Sequence, residues 1–290
     1  MSFVERRINT SFSIGGSGSG VALTNKTFSG LRTSARIAAA GSVDLRATVE
    51  IYGMSLSEMN ALAVIPLQPT KVGQNTIRIE AGDAENGMSV VFEGTIIQAW
   101  PDMQNAPEVP FRVDAVAGAY QAVKPVDPSS YSGPTDVAQV ASQLAGKMGY
   151  TFENNGVNLK IDSPYFWGSG LHQMIQLGEA TRMGWVQENN VLAIWPQGGA
   201  RTSAGTTNIS KETGMVGYPL ATPSGILVKT LFNRAIKYGG QMNVKSDIQR
   251  ASGTWTIWRV DYDLDAMVPH GKWFTSLYGH PVGQSAPIAQ

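Results

Sequence analysis

From residue 5 to about residue 117 the chain alternates apolar and polar positions with a period of two, the pattern of half-buried strands. In ERRINTSFSI, Ile8, Thr10, Phe12 and Ile14 share one face. SVDLRATVEIYGM (42–54) groups Val43, Leu45, Ala47, Val49 and Ile51 in the same way. NTIRIEAGD (75–83), MSVVFEGTIIQAW (88–100) and VPFRVDAVAG (109–118) continue the set. Gly87 supplies a turn residue between the first two of these. One stretch changes period: in SLSEMNALAVIP, Leu56, Met59, Leu62 and Ala63 form a helical stripe over about 55–64. Ser55 followed three residues later by Glu58 is a capping box, and Pro66 bars continuation. This predicts an antiparallel barrel or sandwich with one short helix.

Residues 121–134 hold three prolines and read as a linker. Behind them TDVAQVASQLAGKMGY places Val137, Val140, Ala141, Leu144 and Met148 on one helical face. Thr135 or Asp136 is the cap, and Gly149 is the stop. A second helix is expected over 170–183, stopped by Gly184. GWVQENNVLAIWP (184–196) then reads as a hairpin turning at Glu188-Asn189-Asn190. Sheet pattern returns from about 206, with GILVKTLF, a Gly239-Gly240 turn, QMNVKS, GTWTIWRVDYDLD (253–265) and a last strand in PHGKWFTSLYGH. The expected division is a β-domain over 1–117, a small α+β module over 118–205, a second β-domain over 206–280 and a loose tail over 281–290.

Composition narrows the class. The chain has 22 basic and 22 acidic residues and a formal charge of zero, which argues against a dedicated nucleic-acid binder. Charged residues are 15% of the total, against roughly 25% in typical soluble domains. With 32 glycines, this suits β-architecture and surfaces committed to protein contact. The absence of cysteine removes disulfides, thiolate nucleophiles and cysteine-based zinc sites together. No apolar run approaches the ~20 residues needed to span a bilayer. The first residues lack a signal-peptide core, so synthesis in a bacterial cytoplasm without membrane insertion is expected.

Candidate chemistry is sparse. GGSGSG (15–20) lacks the Gly-Lys-Ser/Thr ending of a phosphate loop and runs into Val21-Ala22-Leu23, so it reads as a loop or hairpin tip. His172, His270 and His280 stand at no ligand spacing, and surface or capping roles are expected of them. The serines of GSGL (168–171) and GYPLATPSG do not match a nucleophile elbow. Asp261, Asp263 and Asp265 lie two residues apart but lack the glycine and late glutamate of a calcium loop, so a solvated strand end is expected. Glu93 reads as a turn or bulge residue. The seven tryptophans (Trp100, Trp167, Trp185, Trp195, Trp255, Trp258 and Trp273) are scattered, and core or interface anchoring is expected rather than a carbohydrate platform. No catalytic, cofactor-binding or metal-binding residue is assigned, and no cofactor is expected.

The succession IYGMSLSEMNAL, TIRIEAGD, SVVFEGTIIQAWPD, TDVAQVASQLAGKMGY, GWVQENNVLAIWP and TGMVGYPLATPSGILVKTLFN, then GTWTIWRVDYDLD and PHGKWFT, resembles the baseplate hub proteins of long-tailed bacteriophages. The resemblance runs from about 40 to 278. Such proteins often have proline after the asparagine of LFN, where this chain has Arg234. The resemblance implies a mainly β fold, with two tail-tube-like antiparallel β-barrels joined by the small α+β module. It implies a virion structural protein without enzymatic activity. A homotrimeric ring would join a sixfold tail tube to a threefold spike, and genomic DNA would pass through it without specific binding. Implied partners are copies of itself, a tube or tube-initiator protein, a spike or puncturing protein, and a tape measure protein. The subunit contacts expected first are helix 55–64 and loop 15–20. The competing readings are a tail-associated carbohydrate- or receptor-binding module and a cell-wall hydrolase.

Overall fold

The computed structural model describes residues 4–15, 24–43, 45–64 and 75–284. Strands dominate it. The chain divides into two compact units, the first formed by 1–38, 44–120 and 261–274, the second by 39–43, 121–260 and 275–290.

Unit one contains β1 (Arg6–Ile14), β2 (Thr24–Phe28), β3 (Thr33–Ala40), β4 (Leu45–Ile51), α1 (Leu56–Leu62), β5 (Thr76–Asp83), β6 (Gly87–Pro101) and β7 (Phe111–Val116). Its strands are ordered β3-β4-β7-β6-β5-β1-β2. Ile8, Thr10, Phe12 and Ile14 are buried while their neighbours are less so, as the alternation requires. Phe12 meets Phe111 at 6.1 Å, and Ile37, Ile51, Ile77, Ile79 and Phe92 complete the interior. The long β6 slips register against β5 between Ile79 and Glu80, and against β7 between Ile96 and Gln98. Such bulges bend a strand and increase its twist. Among the described residues no pairing joins β2 to β3, so these strands do not close on themselves. In α1 the capping box is formed: Glu58 N donates to Ser55 Oγ at 3.2 Å and Ser55 N donates to Glu58 Oε2 at 3.1 Å. Met59 and Leu62 are buried, and the helix packs on β6.

Next in the chain come α2 (Ala119–Val123), β8 (Ser129–Ser130), β9 (Pro134–Asp136), α3 (Val137–Met148), β10 (Thr151–Asn154), β11 (Lys160–Asp162), β12 (Tyr165–Phe166) and α4 (Gly170–Thr181). They are followed by β13 (Gly184–Glu188), β14 (Val191–Trp195), β15 (Thr206–Ile209), β16 (Leu220–Thr222), β17 (Gly225–Leu231), β18 (Gln241–Val244), β19 (Gly253–Ala266) and β20 (Trp273–Pro281). The division between units falls within both β19 and β20. In unit two, β10-β14-β13 form a small sheet covered by α3 and α4. β16, β17, β20 and β19 follow one another in strand order, with β18 beside β19 and β15 beside β18.

Asp136 is the cap of α3, its Oδ1 accepting from Ala138 N and Gln139 N, and Gly149 ends the helix at φ 81°. The α4 helix is capped by Ser169 and stops at Thr181, before the expected Gly184. Gly184 is already paired with Trp195 as the first residue of β13, so the helix must end sooner, with Arg182 taking the left-handed conformation. Asn189 and Asn190 make the hairpin turn at φ 48° and 65°, the two positive values a tight hairpin demands. The expected linker carries short structure of its own in α2, β8 and β9.

Gly178 of α4 lies against the Trp185 indole, and a Cβ there would stand 2.5 Å from Nε1. A helical Gly→Ala change ordinarily stabilises by roughly 0.5–1 kcal/mol. Here the clash reverses the sign, and Gly178→Ala is expected to cost about 1–3 kcal/mol by urea denaturation.

Candidate assembly surfaces

Strand edges are the first feature of an assembling β protein, because an unpaired edge offers a row of backbone donors and acceptors to another chain. Among the described residues β2 pairs with β1 alone and β16 with β17 alone. The outer edge of β2 is polar, with Asn25 and Thr27 exposed. The β16 edge is different. Pro219 and Pro223 bracket it and hold it to three residues, which limits the ladder it could extend. Its side chains are what it offers. Tyr218 and Leu220 are each 60% exposed and Leu231 is 47% exposed. Leu220 stands opposite Leu227, and β17 alternates buried Ile226, Val228 and Thr230 with the outward Leu227, Lys229 and Leu231. One face of this hairpin therefore turns three leucines outward, with Lys229 standing between Leu227 and Leu231. Covering each large side chain completely would contribute about 1.5–3 kcal/mol.

Unit two also carries an open apolar region, a groove of ≈540 Å³ lined by Val123, Pro125, Val126, Trp167, Leu171 and Ile175. Trp167 is exposed, with the His172 ring 4.9 Å away. In unit one, α1 leaves Leu56 exposed, while Glu58 pairs with Lys26 of β2 at 3.4 Å. Residues 16–20 of the expected Gly-rich contact loop lie outside the described residues.

An internal ion cluster braces unit two. Arg201, only 3% exposed, donates through Nε to Glu153 Oε1 at 2.9 Å, through Nη2 to Glu153 Oε2 at 3.0 Å and through Nη1 to Glu188 Oε2 at 2.8 Å. It thereby ties β10 and the end of β13 to the segment leading into β15. The Arg201 hydrogen bonds outweigh burial and, with Ser203 and Asn155, hold the Glu153 carboxyl at about 2.

The residues singled out for chemistry do not converge. His172 is exposed early in α4 and His270 sits in a turn at φ 56°. His280 departs from the expected surface role: it is buried in β20, where Nδ1 donates to the Pro281 carbonyl at 3.0 Å. Asp263 and Asp265 meet Arg36 at 2.5 and 3.0 Å, and Lys272 reaches Asp263 at 3.2 Å. These strand-end acids are ion-paired rather than merely solvated. Burial opposes ionisation of Asp265, yet hydrogen bonds from Ser34, Lys272 N and Arg36 hold its pKa below the usual value. Glu93 stands opposite Arg78 of β5 in the regular ladder, not at a turn, and the register shift falls between Ile79 and Glu80. Among the described residues no group of three or more His, Asp or Glu side chains could hold a metal, and no helix is long and apolar enough to cross a membrane.

A family model described as baseplate hub gp41 matches residues 11–274. The chain belongs to the baseplate hub gp41 family. Membership makes it a structural component of a phage tail, in agreement with the resemblance read from the sequence. Solved structures share the hub's fold at very low identity. The 43 kDa tail protein of prophage MuSo2 from Shewanella oneidensis aligns with TM-score 0.61 and 9% identity, over 96% of this chain and 100% of that one. The E. coli c3393 protein is a type VI secretion component described as similar to the T4 tail proteins gp27 and gp5. It aligns with TM-score 0.57 and 10% identity, over 89% and 76% of the two chains. A chain of the Francisella PdpA–VgrG complex gives TM-score 0.60 and 8% identity, over 99% of this chain and 60% of that one. No curated protein matches the hub chain.

Proposed function

We propose that this protein is the central hub of a phage baseplate, a homotrimeric ring that joins the sixfold tail tube to the threefold spike and leaves a channel for the genome. Each subunit would contribute two tube-like β-barrels, so that three copies present six near-equivalent positions to the tube. The observation that carries the reading is the outward leucine face of the β16–β17 hairpin, in a chain that belongs to a hub family. Exposed leucines flanking a free strand edge are a feature that a partner surface would cover. A closed ring covers such a face permanently, and permanent interfaces are the more apolar ones. The fold shared with a chain from a PdpA–VgrG complex supports a spike-type partner. Balanced charge suits a channel through which DNA must slide without being held.

The test is reconstitution. Purified hub mixed with the phage's own spike and tube proteins is expected to co-elute with each. A hub that binds neither, at any salt concentration, overturns the proposal.

A further inference from the structure

Tryptophans that look scattered along the chain converge in unit two. Trp185, Trp195 and Trp258, with Tyr238, wall a cavity of ≈170 Å³. Glycine makes the wall possible: a Cβ on Gly239 would stand 2.8 Å from the Trp195 ring. Thr256 and Trp258 are two residues apart on β19, so their side chains leave the same face of the strand. Both line the cavity, and Thr256 Oγ1 and Trp258 Nε1 are buried atoms with no hydrogen-bond partner. Thr256 is 3% exposed. Buried polar groups are nearly always paired, so two orphans on one wall mark a place where an occupant supplies the partners.

The remaining wall groups define that occupant. His280 lines the cavity, and with Nδ1 donating to Pro281 its neutral ring leaves Nε2 as an acceptor. Burial lowers its pKa, against the Pro281 hydrogen bond, so the ring is neutral at pH 7. Burial also holds the Tyr238 phenol at about 12, leaving a hydroxyl that can donate or accept. No carboxylate and no lysine lines the space, and Arg182 is its one charged group. Trp185, Trp195 and Tyr238 are only 6%, 7% and 6% exposed, so the site offers neutral donors and acceptors beside one partly open ring, that of Trp258. At ≈30 Å³ per water the volume holds several waters, yet it falls short of the ≈300–1,000 Å³ of sites for larger ligands.

We propose that this cavity binds a single neutral sugar ring. The C–H face of the ring would lie against Trp258, and its hydroxyls would pair with Thr256 and His280 and with the Trp258 N–H. This inference is independent of the assembly reading, and either can fail without the other.

The test uses the full chain with isotope-labelled tryptophan and a panel of probes: glucose, galactose, mannose, N-acetylglucosamine and glycerol. The Trp258 indole N–H resonance is identified as the one missing from Trp258→Phe. At least one hexose is expected to shift it saturably, while glycerol does so far more weakly. Thr256→Val keeps the side-chain shape, removes only an unpartnered hydroxyl, and is expected to weaken binding about tenfold. The proposal is overturned if no sugar moves that resonance, if binding persists unchanged in both variants, or if an experimental structure with the sugar present shows only waters in the cavity.

Discussion

Replacing Arg201 by methionine should lower the unfolding free energy by about 3–5 kcal/mol, the usual cost of leaving buried charge without its partner. Methionine keeps much of the apolar stem but strands the carboxylates of Glu153 and Glu188, whose side chains are 25% and 15% exposed. The loss comes from those stranded acids more than from the bridge itself. Adding Glu153→Gln and Glu188→Gln to Arg201→Met should therefore recover part of it. Urea denaturation of the three proteins reads this directly, and an Arg201→Met variant as stable as the parent would contradict the assignment. The same cluster sets a pH dependence. Glu153 sits at about 2 when folded, below the ordinary carboxylate value of 4.5. The unfolded chain therefore takes up its proton first as pH falls. The stabilisation from Glu153 is complete above about pH 4.5 and drains away toward pH 2. Glu153→Gln should flatten the stability profile across that acid window and leave its shape above pH 6 unchanged.

Leu220→Lys together with Leu231→Lys should abolish self-association without unfolding the subunit. Both side chains already face outward, and surface changes of this kind usually stay within about 0.5 kcal/mol in the monomer. At a covered interface the same two positions would bury ammonium groups among leucines, and losses at central contacts run to about 2–4 kcal/mol each. Lysine is also what natural edge strands use to refuse partners. The expected result is a folded monomer by light scattering, with near-parental thermal stability for the isolated subunit. An assembly unaffected by the double change would move the interface elsewhere, with the Trp167 groove next in line.

Much of this architecture was legible in the residue pattern. The face Ile8, Thr10, Phe12, Ile14 is buried as the period-two reading requires. Ser55 with Glu58, Asp136, and Asn189-Asn190 mark their cap or turn positions because those local hydrogen bonds and dihedrals need only neighbours in sequence. Signals that depend on distant chain were invisible. Thr33–Ala40 buries Thr33, Ala35, Ile37 and Ala39 between further small residues, too little contrast to give a strong alternation. Two-residue strands such as Ser129–Ser130 carry no pattern at all. Nothing in GGARTSAG singles out Arg201, since its partners lie 48 and 13 residues away. His280 looked like a turn residue because Gly279 and Pro281 flank it, yet β20 runs through all three. The meeting of Trp185, Trp195 and Trp258 is likewise a product of topology, joining one hairpin to a strand some sixty residues later. The open face of the β16–β17 hairpin is a mixed case: its alternation is readable, but which side is left uncovered is decided by the rest of the unit.

The central claim is that these edges and these outward leucines exist to be covered by copies of the same chain around an axis. Light scattering on the purified protein, over a wide range of dilution, tests it most directly. The account predicts a particle of three chains that the Leu220→Lys, Leu231→Lys pair reduces to one. A parent protein that stays a single chain at every concentration, and remains so when the spike is added, would contradict it.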